Sequence, residues 1–210
     1  MNKMRRKEFL ISDSKEICNI LNNLEYGVLS LVDLNNKPYS VPLNFFYYEN
    51  SIFFHSATGG KKVDIIRKNP IGSFLAVKPF SFLPSYFKNE KNACFAGQLY
   101  ASIYLEGEIT ETKNNLKKCE YLNLLMKKYQ PEGGFNPIGI DNIIYLKAIE
   151  NVLLFELRVS FVSAKFKFDQ HRSYKDNKDT IEKLKKRGTK TDLETVKMIE
   201  KFSLNNFYHL

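Results

Sequence analysis

Three short apolar runs joined by tight connections constrain the fold most. Residues 26–32 read YGVLSLV, residues 38–48 read PYSVPLNFFYY, and residues 51–56 read SIFFHS. Aromatic and β-branched residues of this kind are typical of strands. The connections at residues 34–37 and 49–50 are too short for the crossover that parallel strands need. The three runs therefore predict an antiparallel meander.

Three later segments extend this β pattern. Strands are predicted at residues 71–77, 93–111 and 152–168, with helices at 13–23, 114–129, 176–187 and 192–202. Six strands with few inserted helices favour a closed β barrel over a doubly wound α/β sheet. Pro42 lacks a backbone N–H, so its strand is expected to have an edge or a bulge there.

Cysteine content and hydropathy exclude several classes of protein. The chain has 210 residues and three widely separated cysteines, Cys18, Cys94 and Cys119, which favour neither a disulfide framework nor a metal site. No stretch approaches the roughly 18 apolar residues of a membrane span. The basic start, MNKMRRKEF, lacks the apolar stretch of a signal peptide. We therefore expect a cytoplasmic protein without a membrane partner or a metal.

The positive charge is concentrated at the two ends of the chain. The net charge is +9, with four basic residues in 1–8 and twelve in 165–210 against seven acids there. A nucleic-acid binder usually concentrates base on a reading element with interleaved aromatics. This distribution instead indicates a solvated surface, so no nucleic-acid partner is expected. Residues 169–210 are predicted to form a basic helical extension beyond a domain of residues 1–168.

The segment FFHSATGGKKVDIIRKNP, residues 53–70, carries the clearest chemical signal. A strand ends at His55-Ser56, two glycines follow, and Lys61-Lys62 open a helix. Glycines allow close approach of an anion, and the N–H groups and dipole of a first helical turn attract it. This pattern predicts a phosphate site; a surface turn with solvated lysines is the alternative. It is neither a Walker A loop nor a GxGxxG fingerprint.

The order of motifs resembles a known superfamily. The chain resembles the pyridoxamine 5'-phosphate oxidase-like split barrels, and most of all the nitroimidazole-resistance (Nim) family. The resemblance rests on three segments in this order: RRKEFLISDSKEI, then GVLSLVDLNNKPYSVPLNFFYYENSIFFHSATGGKKVDIIRKNP, then YASI with Glu106-Gly107. The resemblance covers roughly residues 4–168. It implies a six-stranded antiparallel split barrel with peripheral helices, a homodimer, and FMN bound in a groove at the subunit interface.

The resemblance also implies roles for individual residues. The strand at residues 41–45 would lie along the isoalloxazine ring, residues 55–62 would contact the phosphate and ribityl chain, and residues 100–102 would add contacts. The implied FMN-binding residues are Pro42, Leu43, Asn44, His55, Ser56, Lys61, Lys62, Tyr100 and Ser102. The oxidases usually carry an arginine–lysine pair where this chain has two lysines, and their C-terminal substrate motif is not recognisable here. Lysine is still a good point-charge ligand of phosphate, and the missing C-terminal motif argues against pyridoxine-phosphate oxidation.

The expected function is therefore an FMN-dependent oxidoreductase. Reduced flavin would pass electrons to a small aromatic acceptor, such as a nitro compound or a quinone, and no catalytic side chain is assigned. The alternatives are a heme-binding or heme-degrading protein with His171 or His209 as axial ligand, and a non-catalytic flavin carrier. Four aromatic residues at 80, 82, 86 and 87, in a loop predicted at residues 78–92, would form a lid or pack on the dimer partner.

Overall fold

The computed structural model describes residues 4–89 and 91–204, and within them the chain forms one antiparallel sheet with peripheral helices. The strands are β1 (Leu10–Ile11), β2 (Gly27–Val32), β3 (Pro38–Leu43), β4 (Phe46–Tyr48), β5 (Ser51–Ala57), β6 (Ile71–Leu83), β7 (Gly97–Thr112) and β8 (Val152–Lys167). The helices are α1 (Ser14–Asn22), α2 (Lys61–Lys68), α3 (Asn115–Tyr129), α4 (Leu146–Glu150), α5 (Tyr174–Arg187) and α6 (Lys190–Ile199). The predicted fold class, mostly antiparallel β with peripheral helices, is confirmed, with eight strands where the sequence indicated six.

The predicted meander forms as two antiparallel hairpins, β2–β3 and β4–β5, at opposite ends of the sheet path. The order is β3-β2-β6-β7-β8-β5-β4, and β1 pairs with β8. The strand expected at residues 38–48 breaks after Leu43, so that β3 and β4 terminate opposite ends of the sheet path. Pro42 therefore lies on an edge strand, as its missing N–H predicts.

The chain forms two compact units. The meander unit comprises residues 14–76 and 103–163, and the terminal unit comprises the described parts of residues 1–13, 77–102 and 164–210. Strands β6, β7 and β8 contribute residues to both. The domain boundary proposed at residue 168 stays a prediction.

Aromatic side chains fill the core of the meander unit. Phe45 packs edge-on against Phe74 with ring centroids 4.8 Å apart, and Phe54 stacks on Phe155 at 5.4 Å. Phe54 and Phe155 lie in runs of consecutive buried residues on β5 and β8, so both faces of these strands are covered, and Phe45 lies between β3 and β4. Gly107 permits the close approach of β7 and β8, since a Cβ there would lie 2.0 Å from the carbonyl oxygen of Arg158.

Helices α5 and α6 pack within the terminal unit around a buried carboxylate. Gly188 ends α5 with a φ of 71°, and Thr189 caps α6, between the two helices that the sequence predicts. Asp192 is fully buried, accepts a 2.6 Å hydrogen bond from the Ser81 hydroxyl, and binds the guanidinium of Arg187.

The prediction of a loop at residues 78–92 is wrong for residues 78–83, which belong to β6. Strand β6 continues to Leu83, because Phe80, Ser81 and Leu83 find buried positions in the terminal unit. Phe80 packs edge-on against Phe168 at 4.9 Å, and Phe87 is also buried. These two rings are core residues, and only Phe82 and Tyr86 of the four aromatics are exposed.

Candidate functional site

The first turn of α2 offers unpaired backbone donors next to open space. Gly60 precedes the helix with a φ of 108°, a conformation that favours glycine, and no side chain caps the helix. The first N–H groups of an α-helix have no partner within it. A Cβ added at Gly59 or Gly60 would meet no atom within 4 Å, so an anion could approach these donors.

Two lysines frame this helix start. The Lys61 ammonium lies 4.9 Å from the ring centroid of Tyr39 on β3, and its side chain is exposed. The Lys62 ammonium lies 5.6 Å from the ring of Phe54 on β5 and is half-buried. Burial lowers the pKa of Lys62. The first turn of α2 thus combines two cations with free N–H groups.

His55 and Ser56 precede the turn on β5 and face opposite sides of the strand. The His55 side chain is exposed, whereas Ser56 is buried. Partial desolvation lowers the pKa of His55, and the charge of Lys62 lowers it further. A neutral imidazole beside two lysines can donate or accept a hydrogen bond without adding a third charge.

The three predicted flavin contacts on and after β3 differ in orientation. Leu43 pairs with the buried Gly27 and shares its face of the sheet, whereas Pro42 pairs with Val28 on the outer face. The Asn44 side-chain amide donates a 2.9 Å hydrogen bond to the Glu25 carbonyl. Asn44 therefore holds the end of β3 in place, and the free edge of that strand supplies backbone N–H and C=O groups.

Helix α3 fixes the same break between β3 and β4. The Lys128 ammonium donates to the carbonyls of Leu21 (3.1 Å) and Phe45 (2.9 Å). The Tyr129 hydroxyl bonds the Glu25 carbonyl and accepts from the Phe45 N–H at 3.0 Å. Burial lowers the pKa of Lys128 to about 8. The two carbonyls and the Phe45 ring, 3.8 Å away, favour the ammonium form.

Sequence reasoning missed Lys128 and Tyr129. Their only local signal is a basic last turn of an amphipathic helix, which ordinarily indicates a dipole interaction. Their partners lie 83 to 107 residues away in the chain, so no local pattern could reveal them.

The remaining predicted contacts belong to the terminal unit. Tyr100 and Ser102 project from β7 and are half-buried, and the Tyr100 ring centroid lies 5.3 Å from the Lys165 ammonium. The other seven predicted residues all belong to the meander unit. Of the two proposed heme ligands, His171 packs edge-on against Phe9 at 5.6 Å, and His209 lies outside the described residues.

One protein-family model matches most of this chain. The model described as pyridoxamine 5'-phosphate oxidase matches residues 13–165. No curated protein matches the sequence. None of the helices in the described ranges is long and apolar enough to cross a membrane.

Several solved structures share the fold at low sequence identity. A candidate 5-nitroimidazole antibiotic resistance protein from Bacteroides thetaiotaomicron is 18% identical, with a TM-score of 0.61 over 74% of this chain and 85% of that one. The flavocytochrome Anf3 from Azotobacter vinelandii is 14% identical, with a TM-score of 0.65 over 79% and 72%. The FAD and heme binding protein from Mycobacterium smegmatis is 13% identical, with a TM-score of 0.63 over 75% and 73%.

Proposed function

The chain belongs to the pyridoxamine 5'-phosphate oxidase family, and from this membership we propose that it is an FMN-binding oxidoreductase. When bound, FMN would supply the electron-transfer chemistry, and the acceptor would be a small aromatic molecule such as a nitro compound or a quinone. The role of the chain's own residues is to bind and orient the cofactor.

The start of α2 is the observation that carries this proposal. Open space, uncapped N–H groups and the ammonium groups of Lys61 and Lys62 are what a phosphate monoester requires. A cofactor with a pyrophosphate would usually be held by a Rossmann-type glycine loop, which the sequence lacks. These features favour FMN over a dinucleotide flavin.

The edge strand β3 complements the phosphate site. Lys61 lies over Tyr39 of β3, so the helix start and this strand adjoin each other within the meander unit. The unpaired backbone groups of an edge strand can accept from and donate to the heterocyclic edge of a flavin. Asn44, Lys128 and Tyr129 act as positioning residues, because they fix the backbone where β3 ends. No side chain is assigned to proton transfer.

A homodimer is part of the proposal because the outer face of this sheet carries an exposed apolar row. Pro42, Val28 and Leu75 are in register across β3, β2 and β6 and form a row on that face. Leu75 and Ile71 on β6 are 39% and 59% exposed. Apolar patches of this kind commonly mark an interface, and a second copy of the chain is the occupant that we propose.

The spectrum and identity of the released cofactor test this function. Purified protein is expected to absorb as a flavoprotein, and acid should release a compound that elutes with FMN. Release of FAD, or failure of the apoprotein to bind added FMN, would refute the cofactor assignment. A Soret band after heme addition that is lost in His171→Ala would instead support the heme alternative.

A further inference from the structure

A pocket in the terminal unit collects an excess of cationic side chains. Its volume is about 340 Å³. Asp169 is its one carboxylate among the described residues, and its cationic lining residues are Arg5, Arg6, Lys165, Lys167 and Arg172. The rings of Phe95 and Tyr100 also line the pocket. The pocket shares only Tyr100 with the residues implied for FMN.

Strand geometry places two of these cations side by side. Phe166 is buried on one face of β8, so Lys165 and Lys167 project from the other face. Lys165 is in register with Leu10 of β1, which brings the N-terminal arginines to the same place. The Phe9 ring lies 5.8 Å from both the Arg6 guanidinium and the Lys165 ammonium.

A tight turn after β8 places Arg172 in the lining of the pocket. Asp169 adopts a positive φ of 61°, and its carbonyl accepts a 2.9 Å hydrogen bond from the Arg172 N–H. The Arg172 Nε lies 3.9 Å from the Asp169 carboxylate, beyond hydrogen-bond distance. This Nε is buried and has no hydrogen-bond partner in the described part of the chain. A buried unsatisfied donor is costly, and a ligand oxygen would satisfy it.

The protein compensates the charges around this pocket only in part, because Arg6 and Arg172 each lie 3.9 Å from a carboxylate, that of Glu8 and that of Asp169. Within residues 4–89 and 91–204, Lys165 and Lys167 form no ion pair, and the Lys167 ammonium donates instead to the Gln98 carbonyl at 3.0 Å. Two carboxylates, Glu8 and Asp169, cannot neutralise five cations. Like charges held around one cavity repel each other, so a ligand with two or more negative charges would be stabilised there.

We propose that this pocket binds a phosphorylated small molecule no larger than a mononucleotide. Its volume lies at the lower end of the range of about 300–1,000 Å³ for small-molecule sites. Guanidinium groups match the geometry of phosphate oxygens, and the Phe95 ring can contact an attached base or ring. The site is additional to the FMN phosphate site proposed at α2.

Calorimetric titration with AMP, inorganic pyrophosphate and adenosine tests the proposal. AMP and pyrophosphate should bind, with adenosine at least about tenfold weaker because it lacks the phosphate. Lys165→Gln and Arg172→Gln should each weaken AMP binding at least about tenfold. Lys175→Gln is the matched control, because Lys175 is an exposed lysine on α5 in the same unit, and it should change binding less than about twofold.

Flavin absorbance distinguishes this site from the FMN site. AMP should bind without releasing FMN. The Lys165→Gln variant should retain the FMN content of the parent protein. The calorimetric titration with AMP can also be carried out on flavin-free protein. Circular dichroism checks folding, and if Arg172→Gln is unfolded, Arg172→Lys should show an intermediate affinity. Equal affinity for adenosine and AMP, an equal loss in Lys175→Gln, or release of FMN by AMP overturns the proposal.

Discussion

Replacing Lys61 and Lys62 with alanine tests the phosphate site most directly. Lys62 is half-buried, so its charge-assisted contact with a phosphate should contribute about 1.5–3 kcal/mol. Lys61 is exposed and should contribute less, because solvent screens its charge. The double variant should therefore lose about 2–4 kcal/mol, a roughly 30- to 1000-fold weaker affinity for FMN. Lys62→Ala alone should cost more than Lys61→Ala.

Quenching of flavin fluorescence on titration of apoprotein measures this loss. Riboflavin lacks the phosphate, so its affinity should change little in the double variant, which separates a phosphate contact from general destabilisation. Lys68→Ala is the matched control, because Lys68 is an exposed lysine in the last turn of the same helix. If the double variant binds FMN as tightly as the parent at low salt, the assignment of residues 55–62 to the phosphate must be withdrawn.

Three further predictions concern assembly, stability and positioning. Leu75→Glu places a charge on the exposed apolar row and should shift the protein from dimer to monomer in light scattering; a parent that is already a flavin-loaded monomer would contradict the interface. Asp192→Asn should destabilise the terminal unit by about 2–4 kcal/mol in urea unfolding at neutral pH, because it breaks a buried ion pair. Hydrogen bonds from Arg187 are the main cause of the lowered pKa of Asp192. The stabilisation by this carboxylate is therefore full above the ordinary aspartate pKa of about 3.9 and declines as the pH falls below it. If the difference in unfolding free energy between parent and variant stays constant down to about pH 3, this reasoning is refuted. Tyr129→Phe should cost about 1–2 kcal/mol of stability and weaken FMN binding, whereas unchanged values for both would show that its hydroxyl does not position β3.

Local patterns were sufficient for much of the fold. Aromatic and β-branched runs with tight turns predicted the strands of residues 26–56, and helical patterns predicted α5 and α6. The same reasoning located the glycine turn and lysines that begin α2. These features depend on residues a few positions apart, whose conformational preferences hold before any distant contact forms. The family resemblance, which rests on motif order, was confirmed by the family model.

Long-range contacts decided what local patterns could not. The break after Leu43 depends on Lys128 and Tyr129 from a helix some 80 residues later, and no periodicity in residues 38–48 encodes it. Similarly, β6 extends to Leu83 because contacts with buried residues of the terminal unit stabilise the extended conformation. The sequence alone indicated a loop there. The cationic pocket joins side chains from both ends of the chain, where composition indicated only solvated charge. Pairing of β1 with β8 brings those segments together, and strand pairing between distant segments is a property of the tertiary structure.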